Sequence, residues 1–414
     1  MDFIRNLVTS RPTAAGRAAY TNLAAILLQV YPIQAAPLLF SGDDQTDKPF
    51  SYLLINLLQV DIRSSFPTLL EELNSPSYKS TSARLASAFD IISNFISFLV
   101  RSLDASPSAT APLAIPPDRL LSLRKAISET MSATIEYLRD RWDASVAGAL
   151  GLHPSARSGG GGAASSSSSG TRPALAWDSK TDALAAGGGG GGGGDPLILA
   201  AVRALAMWLR EDDGEVLRYE AAGLTDMFMD LYRRGCEEEG KMLGAPDFRG
   251  PILVALEGIT AVENGAEALL DNDGWRILSE DMLAAMQPTA TPAAAENAAA
   301  RGVEVVRVLL PVSEAESTGP REEWLDVVTK VAAWRVPEDE DGSELSPVVE
   351  EFWVAVLELV TALLVNAHPA TRRRYKHSIS AILGIGKQLK ERGMKDEAAR
   401  ESLDDIMDTL EDLG

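Results

Sequence analysis

"SYLLINLLQVDIRSSFPTLLEEL", running from Ser51 to Leu73, is the stretch whose reading decides the fold. It admits three interpretations: a membrane span, a strand of a buried sheet, or a core helix. Phe50 to Val60 gives only 11 residues before Asp61, whereas a bilayer requires about 20 apolar residues in succession. A strand would require period-two alternation or an early end. Instead Leu53, Leu54, Leu57, Leu58 and Ile62 recur at three- and four-residue steps, the stripe of a core helix. Asp61 and Arg63 are expected at its exposed end. Pro67 is expected to break the chain and begin a second helix, "PTLLEEL".

The same period extends outward in both directions. In Arg84–Leu103 the positions Leu85, Phe89, Ile92, Ile96, Leu99 and Leu103 form one stripe, and Ile91, Phe95 and Phe98 fill the opposite side, so this helix reads as buried nearly all round. Asp118–Leu150 places Leu120, Leu123, Ile127, Met131, Ile135 and Leu138 on one face, with Asp118 as a cap after Pro117. Asp195–Pro196, Ser346–Pro347 and His368–Pro369 each read as a helix start with proline in the first turn. Val303–Val312, "VEVVRVLLPV", is the best strand candidate, yet its position between helices favours a helix. No hairpin signal or βαβ rhythm is present.

About a dozen helices of mostly 12 to 25 residues, joined by short polar turns, predict an all-α chain. Over this length they point to an α-solenoid of degenerate armadillo/HEAT-like helix pairs. Breaks are expected at Ser41–Asp47, Ser106–Pro117, Pro288–Glu296, Ser313–Pro320 and Pro337–Ser346. The main join is Ser158–Gly194, with runs of four Gly, five Ser and eight Gly, a composition unable to bury enough apolar surface to offset its ordering entropy. Three segments follow: a helical repeat segment over 1–157, a disordered Gly/Ser-rich loop over 158–194, and an acidic helical repeat segment over 195–414.

Charge divides along the same line. Met1–Gly194 holds 16 basic and 16 acidic residues, while Asp195–Gly414 holds 22 basic and 43 acidic ones, which accounts for the whole net charge of −21. Such a surface repels nucleic acid and anionic lipid and attracts basic partners. A single cysteine, Cys236, excludes an internal disulfide and favours a reducing compartment. With no signal peptide read at Met1–Ser10 and no transmembrane segment, the expected location is cytoplasmic, with nuclear access open.

Catalytic chemistry finds little support. The three histidines, His153, His368 and His377, have no metal-ligand spacing, and no cysteine lies near them. Cys236 sits between Arg233–Arg234 and Glu237–Glu239, with no local histidine to make it a nucleophile. "GIGKQLK", Gly384–Lys390, lacks the spacer and the Ser/Thr of a phosphate loop; Gly384 and Gly386 read as sites of close helix packing or a kink. An enzyme would require an unrecognised carboxylate site such as Glu350/Glu351 beside Glu358, and spaced carboxylates on a helix usually face solvent. No catalytic residue, metal site or cofactor is therefore expected.

Two binding features stand out. Asn22, Asn56 and Asn94 each interrupt a greasy helix, and an amide offers both a donor and an acceptor to the backbone of an extended peptide; the alternative is that each satisfies a carbonyl of its own core. Arg372, Arg373, Arg374 and Lys376, with Tyr375 among them, form the only basic cluster of the acidic half. They read as a nuclear-localisation or phosphate-binding patch, or as one side of an internal ion-pair surface facing Pro337–Glu344. Lys395–Gly414 is strongly amphipathic, with Leu403, Ile406, Met407, Leu410 and Leu413 on one stripe, and reads as a capping helix or as one that docks on a partner.

"LLQVYPIQAAPLLFS", "KPFSYLLINLLQVDIRSSFPTLLEEL", "SARLASAFDIISNFISFLVRSLD" and "ETMSATIEYLRDRWDASVAGALGLHP" resemble the middle of neurochondrin-family proteins. The likeness continues through "DPLILAAVRALAMWLREDDGEVLRYEAAGLTDMFMDLY" and "FRGPILVALEGI", covering roughly Ala19 to Thr260. The resemblance implies an armadillo/HEAT-like helical array and a cytosolic adaptor or scaffold, not an enzyme, and transfers no functional residue. It also implies further repeats before the segment at Tyr20–Pro32, and it does not account for the insert at 158–194. The expected function is a non-enzymatic protein-interaction scaffold. The alternative is a carrier or chaperone for a basic client protein.

Overall fold

The computed structural model describes residues 2–10, 13–41, 49–73, 75, 77–104, 115–146, 195–238, 247–289, 291–315, 319–337 and 346–413. The Gly/Ser-rich stretch expected at 158–194 lies outside the described residues. The chain divides into two compact units, Met1–Met227 with Glu238–Ala255, and Phe228–Glu237 with Leu256–Gly414. Among the described residues both are helical and no strand occurs.

The first unit contains α1 (Asp2–Thr9), α2 (Ala14–Val30), α3 (Pro32–Phe40), α4 (Phe50–Leu69), α5 (Tyr78–Asp104), α6 (Pro117–Val146), α7 (Pro196–Glu211) and α8 (Glu215–Ala222). Helices α9 (Thr225–Glu238) and α10 (Arg249–Thr260) contribute residues to both units. In the first unit α5 packs between α2 and α7, while α6 packs between α4 and α8. Contacts of α4 with α5 and of α6 with α7 join these two layers. Each helix pair thus stacks like on like upon the next.

Sequence explains the positions of the ends. Thr13 caps α2 by accepting from the Gly16 N–H at 3.2 Å, and Asp195 caps α7 by accepting from the Leu197 N–H at 3.1 Å, with Pro196 in the first turn. Helix α6 begins at Pro117, one residue before the expected cap, so Asp118 lies in the first turn, where its charge favours the helix dipole.

Helix α4 runs through Pro67 to Leu69, and no separate helix forms over "PTLLEEL". Proline removes one backbone donor in the last turn, but Phe66 and Leu69 are buried there and hold it in place. The Phe66 ring stacks on Tyr137 with centroids 4.6 Å apart. The buried face of α4 is Leu54, Ile55, Leu58, Ile62, Phe66 and Leu69, so Leu57, placed on the stripe by sequence, is 47% exposed. Asp61 and Arg63 do not mark an exposed end either. They occupy the middle of the helix, Asp61 paired with Arg84 of α5 and Arg63 with Glu129 of α6 at 2.7 Å.

Helix α5 is long and apolar enough to cross a membrane by length and composition, with a mean hydropathy of 1.4. Its neighbours α2, α3, α4 and α7 cover it as a core helix, burying Leu85, Phe89, Ile91, Ile92, Phe95 and Ile96. Each such side chain contributes about 1.5–3 kcal/mol by leaving water.

The second unit contains α11 (Glu263–Asp271), α12 (Gly274–Ala285), α13 (Pro292–Ala315), a 3-10 turn (Glu322–Leu325), α14 (Asp326–Ala332), α15 (Pro347–Asn366), α16 (Pro369–Arg374), α17 (Lys376–Arg392) and α18 (Glu397–Leu413). The stacking recurs: α15 lies between α13 and α18, α14 lies between α12 and α17, and the pairs α12–α13, α14–α15 and α17–α18 link the layers. Val303–Val312 is helical, as expected from its flanks. Helix α13 starts at Pro292, inside the expected break, because its alanine-rich first turns need no side-chain packing to be helical. The basic segment after His368 is two helices, divided at Tyr375.

Trp275 and Trp324 stack with centroids 4.2 Å apart at the centre of this unit. Gly302 lets α13 approach α15 closely, since a Cβ there would meet the Phe352 ring. Gly386 does the same for α17 and α18, a Cβ lying 3.2 Å from Met407, whereas Gly384 has no atom within 4 Å of its Cβ position and serves no such contact. Ala399, Leu403, Ile406 and Leu410 seat α18 on α15 and α17.

Candidate functional site

The three asparagines singled out by sequence occupy different layers. Asn22 on α2 and Asn94 on α5 belong to helices that pack together, and Asn56 lies on α4 of the other layer. Asn56 Nδ2 donates to the Tyr52 carbonyl at 2.7 Å, and Asn94 Nδ2 to the Asp90 carbonyl at 2.8 Å, both within their own helices. Asn22 is half-buried, and its Oδ1 has no hydrogen-bond partner.

The basic patch is divided by its own geometry. Arg372 Nε donates to the Ala367 carbonyl at 2.9 Å, closing the C-terminus of α15. Arg374 pairs with Glu322 at 3.0 Å, while Arg373 and Lys376 are exposed. His368 caps α16 through Nδ1, which accepts from the Ala370 N–H at 3.2 Å. Of the acidic stretch expected opposite, residues 338–344 lie outside the described residues.

The carboxylates considered for catalysis do not converge. Glu350 is buried, and its Oε2 accepts from the Lys395 N–H at 3.0 Å, pinning the turn before α18. Glu351 pairs with Arg307 at 3.4 Å, and Glu358 is exposed. Cys236 is half-buried. Among the described residues, no three His, Cys, Asp or Glu side chains gather where a metal ion could be held.

Two surfaces that sequence did not single out present themselves. Helix α2 carries a second apolar stripe opposite its buried face: Ala19, Leu23, Ile26 and Val30 are all exposed, Ile26 by 56%. Ile33 and Leu38 on α3 are exposed beside it. The signal was present in the sequence, since Ala18 to Gly42 contains no charged residue and the stripe follows four-, three- and four-residue steps. The other surface is a groove of about 450 Å³ lined by α13, α15 and α18. Its residues come from three separated segments, so no linear pattern announces it.

These features define an all-α protein of stacked helix pairs, without a metal cluster among its described residues and with an exposed apolar helix face. The neurochondrin family model matches residues 1–323. The chain belongs to the neurochondrin family. The match reaches past Thr260 into the 3-10 turn of the second unit. An uncharacterized protein of Schizosaccharomyces pombe is 22% identical over 235 residues, which is 56% of this chain and 33% of that protein. The chain thus spans about a third of the length of that relative.

Proposed function

We propose that this protein is a non-enzymatic protein-interaction scaffold, built as an α-solenoid of degenerate armadillo/HEAT-like pairs and acting in the cytoplasm. The layered stacking within each unit supports the array reading. Family membership supports the scaffold role, since neurochondrin is not a known enzyme family. The observation that carries the proposal is the exposed stripe Ala19, Leu23, Ile26 and Val30 on α2. A helix apolar on both faces is normally buried on both, and a contiguous exposed apolar face marks an interaction surface. Its occupant is a partner protein's helix with an uncharged apolar face, because Ala18–Gly42 offers no charge to complement one. Asn22, Asn56 and Asn94, and the cations Arg372, Arg373, Arg374 and Lys376, enter as secondary contacts.

Affinity purification of the tagged full chain followed by mass spectrometry tests this reading, run beside a Leu23→Glu/Ile26→Glu variant. Reproducible partners lost from the variant, with its helical circular dichroism intact, are expected. Partners that survive the substitutions, or no partner at all, would overturn it. The alternative, a carrier for a basic client, is favoured by one observation: all 21 net negative charges lie after Gly194. It also makes nucleic acid an unfavourable partner.

A further inference from the structure

The groove between α13, α15 and α18 carries a more specific assignment. Its floor is apolar: Leu310 from α13, Ala362 and Val365 from α15, and Ile406 from α18. Val365 is 42% exposed, the largest exposed apolar side chain of α15. Each of the three helices adds one carboxylate to the rim, Glu314, Glu358 and Asp405, all exposed. Among the described residues none of these three forms an ion pair, although adjacent acids do: Asp404 pairs with Lys390 at 2.6 Å, Glu411 with Lys387 at 3.7 Å and Glu351 with Arg307 at 3.4 Å. Thr361 also lines the groove; it is 6% exposed and its hydroxyl is buried without a hydrogen-bond partner.

We propose that this groove docks a basic amphipathic segment of a partner protein, with an apolar side chain seated on Leu310, Val365 and Ile406 and flanking Lys or Arg residues paired to Glu314, Glu358 and Asp405. The assignment rests on the scaffold reading above and names the kind of partner that the acidic half takes. Unneutralised carboxylates around an apolar floor select against an acidic or purely apolar ligand, because one leaves like charges facing and the other strands the rim without counter-charge. The surplus of acidic residues after Gly194, 43 against 22 basic, steers cationic segments toward this half over the screening length of the buffer.

The test is fluorescence anisotropy of the full chain with three synthetic probes: a helical lysine–leucine peptide, its glutamate–leucine counterpart, and a lysine–glycine peptide without leucine. Binding of the first alone is expected, weakening as salt rises. The variant Glu314→Gln/Glu358→Gln/Asp405→Asn should lower its affinity by roughly tenfold, the sum of three exposed charge pairs. A charge-matched control, Glu263→Gln/Glu267→Gln/Asp271→Asn on the exposed face of α11, should leave the affinity unchanged. Equal losses in the two variants would reduce the effect to net charge and overturn the site. Equal binding of the lysine–glycine probe would remove the apolar floor from the account, and no binding of the lysine–leucine probe would end it. None of these failures touches partner capture through the α2 stripe, so the scaffold reading stands or falls separately.

Discussion

Arg301 grips Asp281 through both carboxylate oxygens, with Nε 2.9 Å from Oδ2 and Nη2 3.2 Å from Oδ1. Both side chains are largely removed from water, and the Tyr232 hydroxyl donates to the same Oδ2 at 2.6 Å. The pair joins α12 to α13 at the start of the second unit's two layers. Breaking a buried pair from one side leaves an uncompensated charge, which costs far more than the pair contributes.

Arg301→Leu is therefore expected to destabilise the second unit by about 3–5 kcal/mol. Adding Asp281→Leu should recover most of that loss, because the double variant buries no charge. Urea unfolding of the single and double variants checks this. A single variant as unstable as the double one would show that packing, and not the stranded carboxylate, sets the cost.

Gly302 predicts a sign that helix propensity alone would get wrong. Alanine in a helix interior is favoured over glycine by about 1 kcal/mol. Here the added Cβ meets the Phe352 ring, which is itself buried. Overpacking of that kind costs about 1–3 kcal/mol, so Gly302→Ala should be net destabilising. A thermal melt with a raised midpoint would contradict the close approach of the two helices.

Asp90 on α5 is half-buried and accepts from Gln29 Nε2 at 2.7 Å. Burial raises its carboxyl above the usual range, against the opposing pull of Arg203 and the Gln29 hydrogen bond. A raised folded value means that the unfolded chain releases its proton first as pH rises. Stability therefore falls as pH climbs from the unfolded value of about 4 through the folded one, and stays lowered at neutrality. Asp90→Asn, which keeps an acceptor for Gln29, should raise the neutral-pH melting temperature, and the gain should vanish below the carboxylate range. A gain that persists at low pH would assign the effect to something other than the charge.

The all-α reading was legible because burial imposes a period. Leu54, Leu58 and Ile62 on α4, and Leu85, Phe89 and Ile92 on α5, lie where the three-and-four spacing puts them. The proline at 67 misled because local chemistry was weighed without Phe66 and Leu69, whose burial holds the turn around it. Leu57 misled for the complementary reason: an apolar residue is admitted to a core but not confined to one. The outward stripe of α2 lay in plain sequence at Ala19, Leu23, Ile26 and Val30, concealed by the assumption that an apolar helix has apolar neighbours. The groove was not legible at all. Glu314, Glu358 and Asp405 are 44 and 47 residues apart along the chain, and only the stacking of α13, α15 and α18 brings them to one rim.

Tyr137 supplies a test at the alkaline end. Its ring stacks on Phe66 in the core of the first unit, and burial pushes its hydroxyl up to about 12. An unfolded tyrosine ionises near 10, so between about pH 10 and 12 the unfolded chain loses a proton that the folded chain keeps, and stability falls across that window. Below it the residue makes no pH-dependent contribution. Tyr137→Phe retains the stacked ring and removes the proton, so the variant should lose less stability than the wild-type chain over the same interval. The measurement is the urea midpoint at stepped alkaline pH, paired with the phenolate absorbance of the folded chain. Identical slopes for the two proteins would mean that Tyr137 ionises like an exposed tyrosine, which its place between α4 and α6 does not allow.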